Sequence, residues 1–324
     1  MENITKPSQH ESKDYHSLPG LSNSRLKLLR RNPIIFQRAM EEQWEDATKA
    51  HHIDGDMIDK MLLNYPSFLD NYIEQTWIVP GSQNQIEFAI KVAEDMEITE
   101  AYSSSYATNY KPATVAKKAN ELYNELYDYI MFLKSDDAEK TPYNERQKEM
   151  IMGIQKSAQN HPAVARMLDH PNKKDHVVFQ ETILGELFKC EVDLFLDLNK
   201  TVWNIDLKST GSAIGYFPND YRRYGYDRQQ AIYYKCIRTW LDRTGRKDTR
   251  IRTGCIAVEK QEPFSTLLYE VHPRLLVKGW QWVKESVDMY KFHKEHGFDY
   301  PQRTLEKGME LLLPAQFDMT LLSE

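Results

Sequence analysis

Residues 191–210, EVDLFLDLNKTVWNIDLKST, constrain the fold of this chain more than any other stretch. Two runs rich in apolar, β-branched and aromatic residues flank Asn199, a pattern that predicts two antiparallel strands joined by a tight turn. Each run also carries charge, because Asp193 lies in the first and Asp206 and Lys208 lie in the second. Charged residues in a strand with a buried face require a partner or a ligand.

Period-two alternation predicts where these charges point. In the second run, Asn204, Asp206 and Lys208 fall on one face of the strand, and the roots of the Asp206 and Lys208 side chains are about 6 to 7 Å apart. A tight hairpin also lets Asp193 approach Asp206 across the strand pair. The sequence therefore predicts two carboxylates and a lysine on one face of a sheet.

Such a trio suits metal-assisted phosphate chemistry. Two carboxylates can hold Mg²⁺ through hard oxygen ligands and leave its other positions to water, a backbone carbonyl and a substrate phosphate. The metal lowers the pKa of a bound water, and Lys208 can orient that water or neutralise developing charge. A solvated surface ion pair between Asp206 and Lys208, of little energetic value, is the competing interpretation of the same pattern.

Composition bounds the class of protein. The chain has 324 residues, 41% of them hydrophobic, which suffices for one large domain or two small ones. Its net charge of -6 excludes a uniformly basic nucleic-acid binder, although a groove on such a protein can still be basic. Three scattered cysteines (Cys190, Cys236 and Cys255) predict no disulfide framework and a reducing compartment. Since no run nears the roughly 20 apolar residues of a membrane span and no signal peptide is visible, we expect a soluble cytoplasmic protein.

The chain is expected to form one domain. Residues 1–17 are polar and predicted to be a flexible tail, and residues 301–324 form a second tail. The domain between them, 18–300, divides into a mainly helical half over 18–172 and a sheet-containing core over 173–300. The fold class is therefore α/β, with a mixed central sheet flanked by helices.

Local signals predict several element boundaries. Ser22 or Ser24 should cap a helix that stops before Pro33. Thr141 is predicted to be the N-cap of a helix that begins at Pro142. A three-stranded meander should follow Asp175, with two further strands around a turn near Glu262. The predicted helices after the first cover residues 87–100, 111–135, 142–160, 223–243 and 273–296.

The charged trio also resembles a known signature. Asp193 followed by Asp206-Leu207-Lys208 is similar to the PD-(D/E)xK nuclease motif. Downstream, YDRQQAIYY places Gln229 and Tyr233 four residues apart on a helix, which resembles the Gln-x-x-x-Tyr element of the RecB-like branch of those nucleases.

The N-terminal half extends the resemblance. LPGLSNSRLKLLRRNPIIF, Gly55 to Asp59 and LLNYPSF are similar to the RecE branch, the phage or prophage type that includes exodeoxyribonuclease VIII. Asp59 stands where that branch usually has histidine. The resemblance extends from about Leu18 to about Val271, and it implies that 18–300 is an exonuclease domain.

The resemblance implies an activity and its roles. It implies digestion of linear double-stranded DNA from the 5′ end with Mg²⁺, for which Mn²⁺ substitutes. Asp193 and Asp206 would be metal ligands, joined by the Leu207 carbonyl and by Asp59. Lys208 would position the attacking water.

Further residues are expected around this site. Gln229 and Tyr233 would contact substrate or hold Lys208 in place. The DNA phosphates would meet a cluster of arginines, namely Arg222, Arg223 and Arg228. Partners implied by the resemblance are DNA ends, a single-strand annealing protein and further copies of this chain in a homo-oligomer, with no membrane. Glu181, one strand earlier, is expected to be exposed.

Three alternatives remain open at this point. A RecB-like nuclease with an iron–sulfur cluster would need four cysteine ligands, and the chain has three cysteines. A catalytically inactive module that binds DNA or a partner would keep the fold without the chemistry. A purely structural protein would expose the acidic hairpin as a ribbon and bury only Trp203, Ile205 and Leu207.

Overall fold

The computed structural model describes residues in two compact units. One comprises 1–55 and 156–324 and is called here the sheet unit, and the other, 56–155, is the helical unit. Most of both predicted tails, 1–17 and 301–324, lies outside the described residues. The predicted single domain over 18–300 stays a prediction beside this division. The structure describes residues 8–9, 15, 17–41, 50–106 and 109–308.

Helices account for most of the described elements. In chain order the helices are α1 (Asn23–Arg31), α2 (Pro33–Met40), α3 (Ala50–Leu63), α4 (Tyr65–Asn71), α5 (Gln83–Ala93), α6 (Ile98–Tyr106), α7 (Pro112–Glu125), α8 (Tyr127–Lys134), α9 (Glu145–Asn160), α10 (Pro162–Leu168), α11 (Phe217–Arg223), α12 (Tyr226–Arg243), α13 (Pro273–His296) and α14 (Gln302–Lys307). The strands are β1 (Ser8–Gln9), β2 (Tyr72–Glu74), β3 (Thr141–Tyr143), β4 (Lys173–Ile183), β5 (Glu186–Asp197), β6 (Thr201–Thr210), β7 (Arg250–Glu259) and β8 (Thr266–Glu270). Within the described residues, no helix combines the length and apolarity needed to cross a bilayer.

The first two helices begin at side-chain caps. Ser22 Oγ accepts a hydrogen bond of 3.3 Å from the backbone N–H of Arg25, which confirms the predicted cap of α1. Asn32 closes α1 and caps α2, because its side chain accepts from the backbone N–H of Ile34 at 2.9 Å. Pro33 occupies the first turn of α2, where its missing N–H costs nothing.

Several predicted boundaries in the helical unit are wrong. The predicted helix over 87–100 is replaced by α5 and α6, and the one over 111–135 is broken into α7 and α8 at Leu126. Thr141 is not an N-cap, because it lies in β3, which pairs in parallel with β2. The helix begins after Asn144, whose side chain accepts from the Gln147 N–H at 3.0 Å, and Gln147 Oε1 accepts from the Asn144 N–H at 3.1 Å. This reciprocal capping box outcompetes the Thr-Pro signal.

The sheet unit is built on a mixed sheet with strand order β1-β4-β5-β6-β7-β8. β4, β5 and β6 form the predicted antiparallel meander, and β7 then adds in parallel to β6. A parallel pair requires a crossover connection, and here α11 and α12 supply it. β8 returns antiparallel to β7 after the predicted turn near Glu262. The predicted fold class, a mixed sheet flanked by helices, is confirmed.

Two long helices cover the sheet. α12 begins at Tyr226, just after Gly225 with its positive φ of 68°, so the predicted start at Arg223 is wrong, and α11 precedes it. α13 matches its predicted bounds, and Gly297 caps its C-terminal end, where its N–H donates to the His293 carbonyl at 2.8 Å. Both helices bury apolar side chains in the main core, together with α1, α2, β4 and β5. This packing places the N-terminal end of α12 over β6.

Candidate active site

The hairpin separates where the charged residues begin. Pairing between β5 and β6 runs from Asp197 opposite Val202 to Leu194 opposite Ile205, and the described ladder goes no further. Asp193 and Asp206 are the next residues on their strands. The Leu207 N–H, which this separation releases from the β5 ladder, donates a hydrogen bond of 2.7 Å to Asp193 Oδ2. The split therefore places a carboxylate where a strand partner would have been.

Asp206 and Lys208 form the centre of the cluster. Lys208 Nζ donates to Asp206 Oδ1 at 2.9 Å and to the Leu207 carbonyl at 3.3 Å. Asp206 is 0% exposed, whereas the side chain of Lys208 retains 19% exposure. The aromatic ring of Tyr226 lies 5.4 Å from the ammonium. A buried aspartate is incompatible with the alternative of an exposed acidic ribbon.

α12 contributes the remaining two predicted residues. Gln229 Nε2 donates to Asp206 Oδ1 at 2.9 Å and to the hydroxyl of Tyr233 at 2.7 Å. The i,i+4 spacing places both side chains on one side of the helix, as predicted. The structure thus brings Asp193, Asp206, Lys208, Gln229 and Tyr233 into one group around the split.

Burial sets the electrostatics of the group. Burial raises the pKa of Asp206 to about 7, an effect that the Asp193 carboxyl strengthens and the Lys208 ammonium opposes. Although burial disfavours its charge, Lys208 has a raised pKa because both carboxylates lie nearby. The two shifts differ in origin, because burial raises the pKa of Asp206 against the effect of the ammonium, whereas the two carboxylates raise the pKa of Lys208 against the effect of burial. One carboxyl group therefore tends to bind a proton near neutral pH when no other cation is present.

The oxygen atoms present fit a hard divalent cation. Asp206 Oδ1 is occupied by Lys208 and Gln229, whereas Asp206 Oδ2 is buried and has no hydrogen-bond partner among the described residues. A buried carboxylate oxygen without a partner is costly unless a cation or water meets it. No group of three or more His, Cys, Asp or Glu side chains arranged for a metal occurs in the described part of the chain. A cation here would therefore take further ligands from a carbonyl, water or substrate.

The three predicted arginines differ in their surroundings. Arg222 and Arg223 are exposed on α11, where Arg222 donates to Asn219 Oδ1 at 2.7 Å and Arg223 lies over the ring of Tyr224 at 5.6 Å. Arg228 lies at the start of α12 with its guanidinium 4.5 Å from the ring centre of Trp282. Their contact with DNA stays a prediction.

Sequence reasoning missed a cation from the first helix. Lys27 Nζ donates a hydrogen bond of 2.9 Å to the Tyr224 carbonyl, 197 residues further along the chain. Burial lowers the pKa of Lys27, and the nearby charges of Arg228 and Lys208 lower it further. Three cations therefore gather at one end of the split. No local pattern could reveal this, because the contact depends on how α1 packs in the folded unit.

Two further acidic residues, Glu181 and Asp59, are buried and half-buried respectively. Glu181 is 7% exposed and accepts a hydrogen bond of 2.6 Å from Arg243, so the expectation that it is exposed is wrong. Its partner, Arg243, is the last residue of α12, so the helix that packs on the sheet provides the charge that pairs with this buried carboxylate. Asp59 lies on α3 in the helical unit, half-buried, and its role as a metal ligand stays a prediction.

Comparisons with known proteins agree with the motif and the fold. A family model described as a PDDEXK-like domain of unknown function (DUF3799) matches residues 22–303. Among solved structures, the protein named "Putative exonuclease" from Eubacterium rectale is similar over 98% of each chain, with a TM-score of 0.52 and 12% sequence identity. At that identity the likeness shows the fold alone. A second structure, that of SSO0001, is 13% identical over 73% of this chain and 86% of its own, but its TM-score of 0.25 carries no argument. No curated protein matches the chain.

Proposed function

Because this chain belongs to the DUF3799 family of PDDEXK-like domains, we propose that it is a Mg²⁺-dependent exodeoxyribonuclease that hydrolyses linear double-stranded DNA from the 5′ end. The observation that supports a nuclease best is the split hairpin. There a fully buried carboxylate, Asp206, holds a lysine through one oxygen and leaves the other oxygen without a partner. Burying a carboxylate oxygen without a partner costs free energy, and an inactive binding module would gain no function that offsets this cost.

Residues at the split would hold the cation. Asp193, Asp206 and the Leu207 carbonyl offer the hard oxygen atoms that Mg²⁺ and Mn²⁺ prefer. When bound, the ion would lower the pKa of a water and stabilise negative charge on the phosphate. Gln229 and Lys208 both hold Asp206 Oδ1, so the buried Asp206 Oδ2 is the oxygen left for a cation.

Lys208 would act through its charge. Its raised pKa keeps the ammonium protonated at neutral pH in the metal-free protein, which favours a role as a cation over one as the general base. A protonated lysine can orient an attacking water and offset the charge that develops on the phosphate oxygens. Hydrolysis adds hydroxide to phosphorus and a proton to the departing sugar oxygen as the phosphorus–oxygen bond breaks.

Cations around the split would hold the DNA backbone. Lys27 and Arg228 lie near Lys208. Arg222 and Arg223 are exposed at the end of α11, a few residues before Arg228 in the chain. Phosphate contacts of this kind position a strand without reading its sequence. This is the behaviour expected of an enzyme that degrades DNA regardless of sequence.

The finer features of the proposal are supported by the resemblance to the RecE branch. These are the 5′ to 3′ polarity, the preference for duplex ends, a homo-oligomer, an annealing partner, the contribution of Asp59 and a role in recombination in the cytoplasm. Each depends on the similarity of motifs in the two halves of the chain.

A nuclease assay with separately labelled ends tests the proposal. Linear duplex DNA carrying one label at its 5′ ends and a different label at its 3′ ends, and a covalently closed circle, would be incubated with the protein and Mg²⁺ or Mn²⁺. We expect release of the 5′ label and an intact circle. The Lys208→Ala variant should lose activity by about a hundredfold to a thousandfold, the scale expected for a group that stabilises charge in the transition state.

Lys140→Ala is the matched control. Lys140 also forms an ion pair with an aspartate, Asp137, at 2.8 Å, but it lies in the helical unit. The Lys140→Ala substitution should leave the nuclease activity unchanged. Release of 3′ labels would reverse the proposed polarity, and cleavage of the circle would replace an exonuclease with an endonuclease. Inertness of the wild-type protein with both metals would overturn the nuclease and favour the binding module.

A further inference from the structure

A second pair of amide side chains lies beside the proposed site. Asn204 of β6 and Gln230 of α12 are both 0% exposed. Asn204 Nδ2 donates a hydrogen bond of 2.9 Å to Gln230 Oε1. Asn204 precedes Asp206 by two residues on the same face of β6, and Gln230 directly follows Gln229 on α12. Asp206 and Gln229 therefore each have a buried amide side chain as a neighbour on the same element.

The two pairs connect one helix to one strand at successive points. Gln229 reaches Asp206, and Gln230 reaches Asn204, each through a hydrogen bond of 2.9 Å. The two points on β6 are about 6 to 7 Å apart along the strand. Apolar packing already holds α12 on the sheet, and the two contacts add polar restraints on its rotation and on its position along β6.

The buried amides are a poor choice for stability alone. Asn204 Oδ1 and Gln230 Nε2 have no hydrogen-bond partner among the described residues. Buried polar atoms left in this way destabilise a fold, and an apolar pair of similar size would avoid the loss. The pair is therefore better explained by the specific placement that it imposes than by the free energy that it contributes.

We propose that Asn204 and Gln230 are positioning residues for the site. They fix α12 so that the Gln229 amide meets Asp206 Oδ1 and leaves Asp206 Oδ2 without a hydrogen-bond partner in the described part of the chain. The consequence for hydrolysis rests on the proposed nuclease function, whereas the placement of Gln229 does not. The sequence carries a signal for this role, because Gln230 interrupts the buried apolar stripe of α12 that continues through Tyr233 and Ile237.

The first test measures how well the Gln229 side-chain amide is protected from hydrogen exchange, which depends on its contact with Asp206. The side-chain amide of Gln229 would be assigned by NMR with a Gln229→Ala variant, and its hydrogen exchange measured in metal-free protein. We expect slow exchange in the wild type and exchange at least about tenfold faster in the Asn204→Leu/Gln230→Leu double variant, because a loosened contact opens more often. Unchanged exchange in the double variant would overturn the proposal.

Thr253→Val is the matched control for this test. Thr253 pairs in register with Asn204 on the adjacent strand, is 3% exposed, and its hydroxyl has no partner among the described residues. The substitution keeps the side-chain shape and removes a polar atom from the same region. It should leave the exchange of the Gln229 amide unchanged, and acceleration as large as in the double variant would also overturn the proposal.

The second test separates positioning from stability. The double variant should unfold at the same denaturant concentration as the wild type or higher, yet its kcat per folded molecule should fall on the order of tenfold to a hundredfold, with KM little changed. If Asn204 and Gln230 only stabilised the fold, the double variant would lose activity only in proportion to its loss of stability. That result would contradict a positioning role. If the wild-type protein itself proves inactive, the proposed function fails, while the exchange of the Gln229 amide still decides the placement.

Discussion

The two units of this molecule bury different kinds of residue. Within the described residues, Ser105 is the one buried polar or charged side chain of the helical unit, whereas the sheet unit has fifteen, although it is only about twice as long. A hydrophobic cluster that includes Phe88, Leu126 and Ile130 forms the core of the helical unit. Since buried polar groups cost free energy unless they are paired or used, their concentration indicates which unit carries the chemistry.

The two units also differ in net charge, and this difference too points to the sheet unit as the one that would meet DNA. Residues 56–155 contain 17 acidic and 9 basic side chains, a net charge of -8. The remaining 31 acidic and 33 basic residues give the sheet unit a net charge of +2. The overall value of -6 therefore conceals a slightly basic unit that contains the proposed site. A polyanion such as DNA would be attracted to this unit and repelled by the other.

The largest expected effect tests whether the helical core contributes stability alone. Phe88→Ala removes a ring that is 0% exposed and should lower the free energy of unfolding by about 3–5 kcal/mol. Urea unfolding measures the loss, and nuclease activity per folded molecule should stay unchanged. Leu194→Ala, beside Asp193 on β5, should cost about 2–5 kcal/mol and also reduce activity. Equal losses of activity in the two variants would contradict the division of roles.

A buried charge in the sheet unit should make stability depend on pH. Lys189 is 2% exposed, donates to the Tyr15 and Leu18 carbonyls at 2.7 Å, and has a pKa lowered by burial to about 8. Its cation is therefore disfavoured on folding. The penalty is complete below pH 8 and disappears as the pH rises toward the unfolded value of 10.5.

Relative to Lys189→Met, the wild-type protein should therefore gain up to about 3 kcal/mol of unfolding free energy between pH 7 and pH 10.5. Urea titrations at several pH values would measure the difference. Lys278→Met, which replaces an exposed lysine of α13, should show no such trend. A difference between wild type and Lys189→Met that stays constant with pH would contradict a lowered pKa for Lys189.

Sequence patterns predicted the sheet unit better than the helical unit. The alternation in 191–210 gave the correct hairpin and the shared face of Asp206 and Lys208, because period two leaves only one register with the apolar set buried. Pro273 and Gly297 fixed the ends of α13. These features are local, so a sequence expresses them directly.

The errors share a different physical origin. Thr141 carries a good helix-start signal, but it pairs with Tyr72, which lies 69 residues earlier. Burial of Asp206 depends on α12, and the position of Lys27 depends on the packing of α1, which no short window of sequence specifies. Long-range packing therefore determines the strand at Thr141, the burial of Asp206 and the position of Lys27, none of which a local sequence pattern could predict.

Metal-dependent stabilisation tests whether the unpaired oxygen of Asp206 is a ligand. The wild-type protein should gain about 2.7 kcal/mol at Mg²⁺ or Mn²⁺ concentrations 100 times the dissociation constant, and Asp206→Asn should lose that gain. Thermal unfolding with and without metal measures it. Glu181→Gln, which alters another buried carboxylate of the sheet unit, should retain the full gain. Equal stabilisation of Asp206→Asn would contradict a metal site at the split.

The smallest predicted effect on stability concerns the contact that positions the start of α12. A Cβ atom on Gly279 of α13 would lie 2.2 Å from the Asp227 carbonyl oxygen and 2.8 Å from the Arg228 nitrogen, both of them backbone atoms. Gly279→Ala must therefore push the two helices apart, at a cost of about 1–3 kcal/mol. Because the displaced turn carries Gln229, activity per folded molecule should also fall, on the order of tenfold.

Gly55→Ala is the control, because Gly55 is a helical glycine with open space around it. This substitution should leave stability unchanged or raise it by about 0.5–1 kcal/mol. Loss of stability in Gly279→Ala with full activity would show that the site tolerates movement of α12, and the hydrogen bonds of Gln229 would then contribute less to catalysis than the geometry indicates.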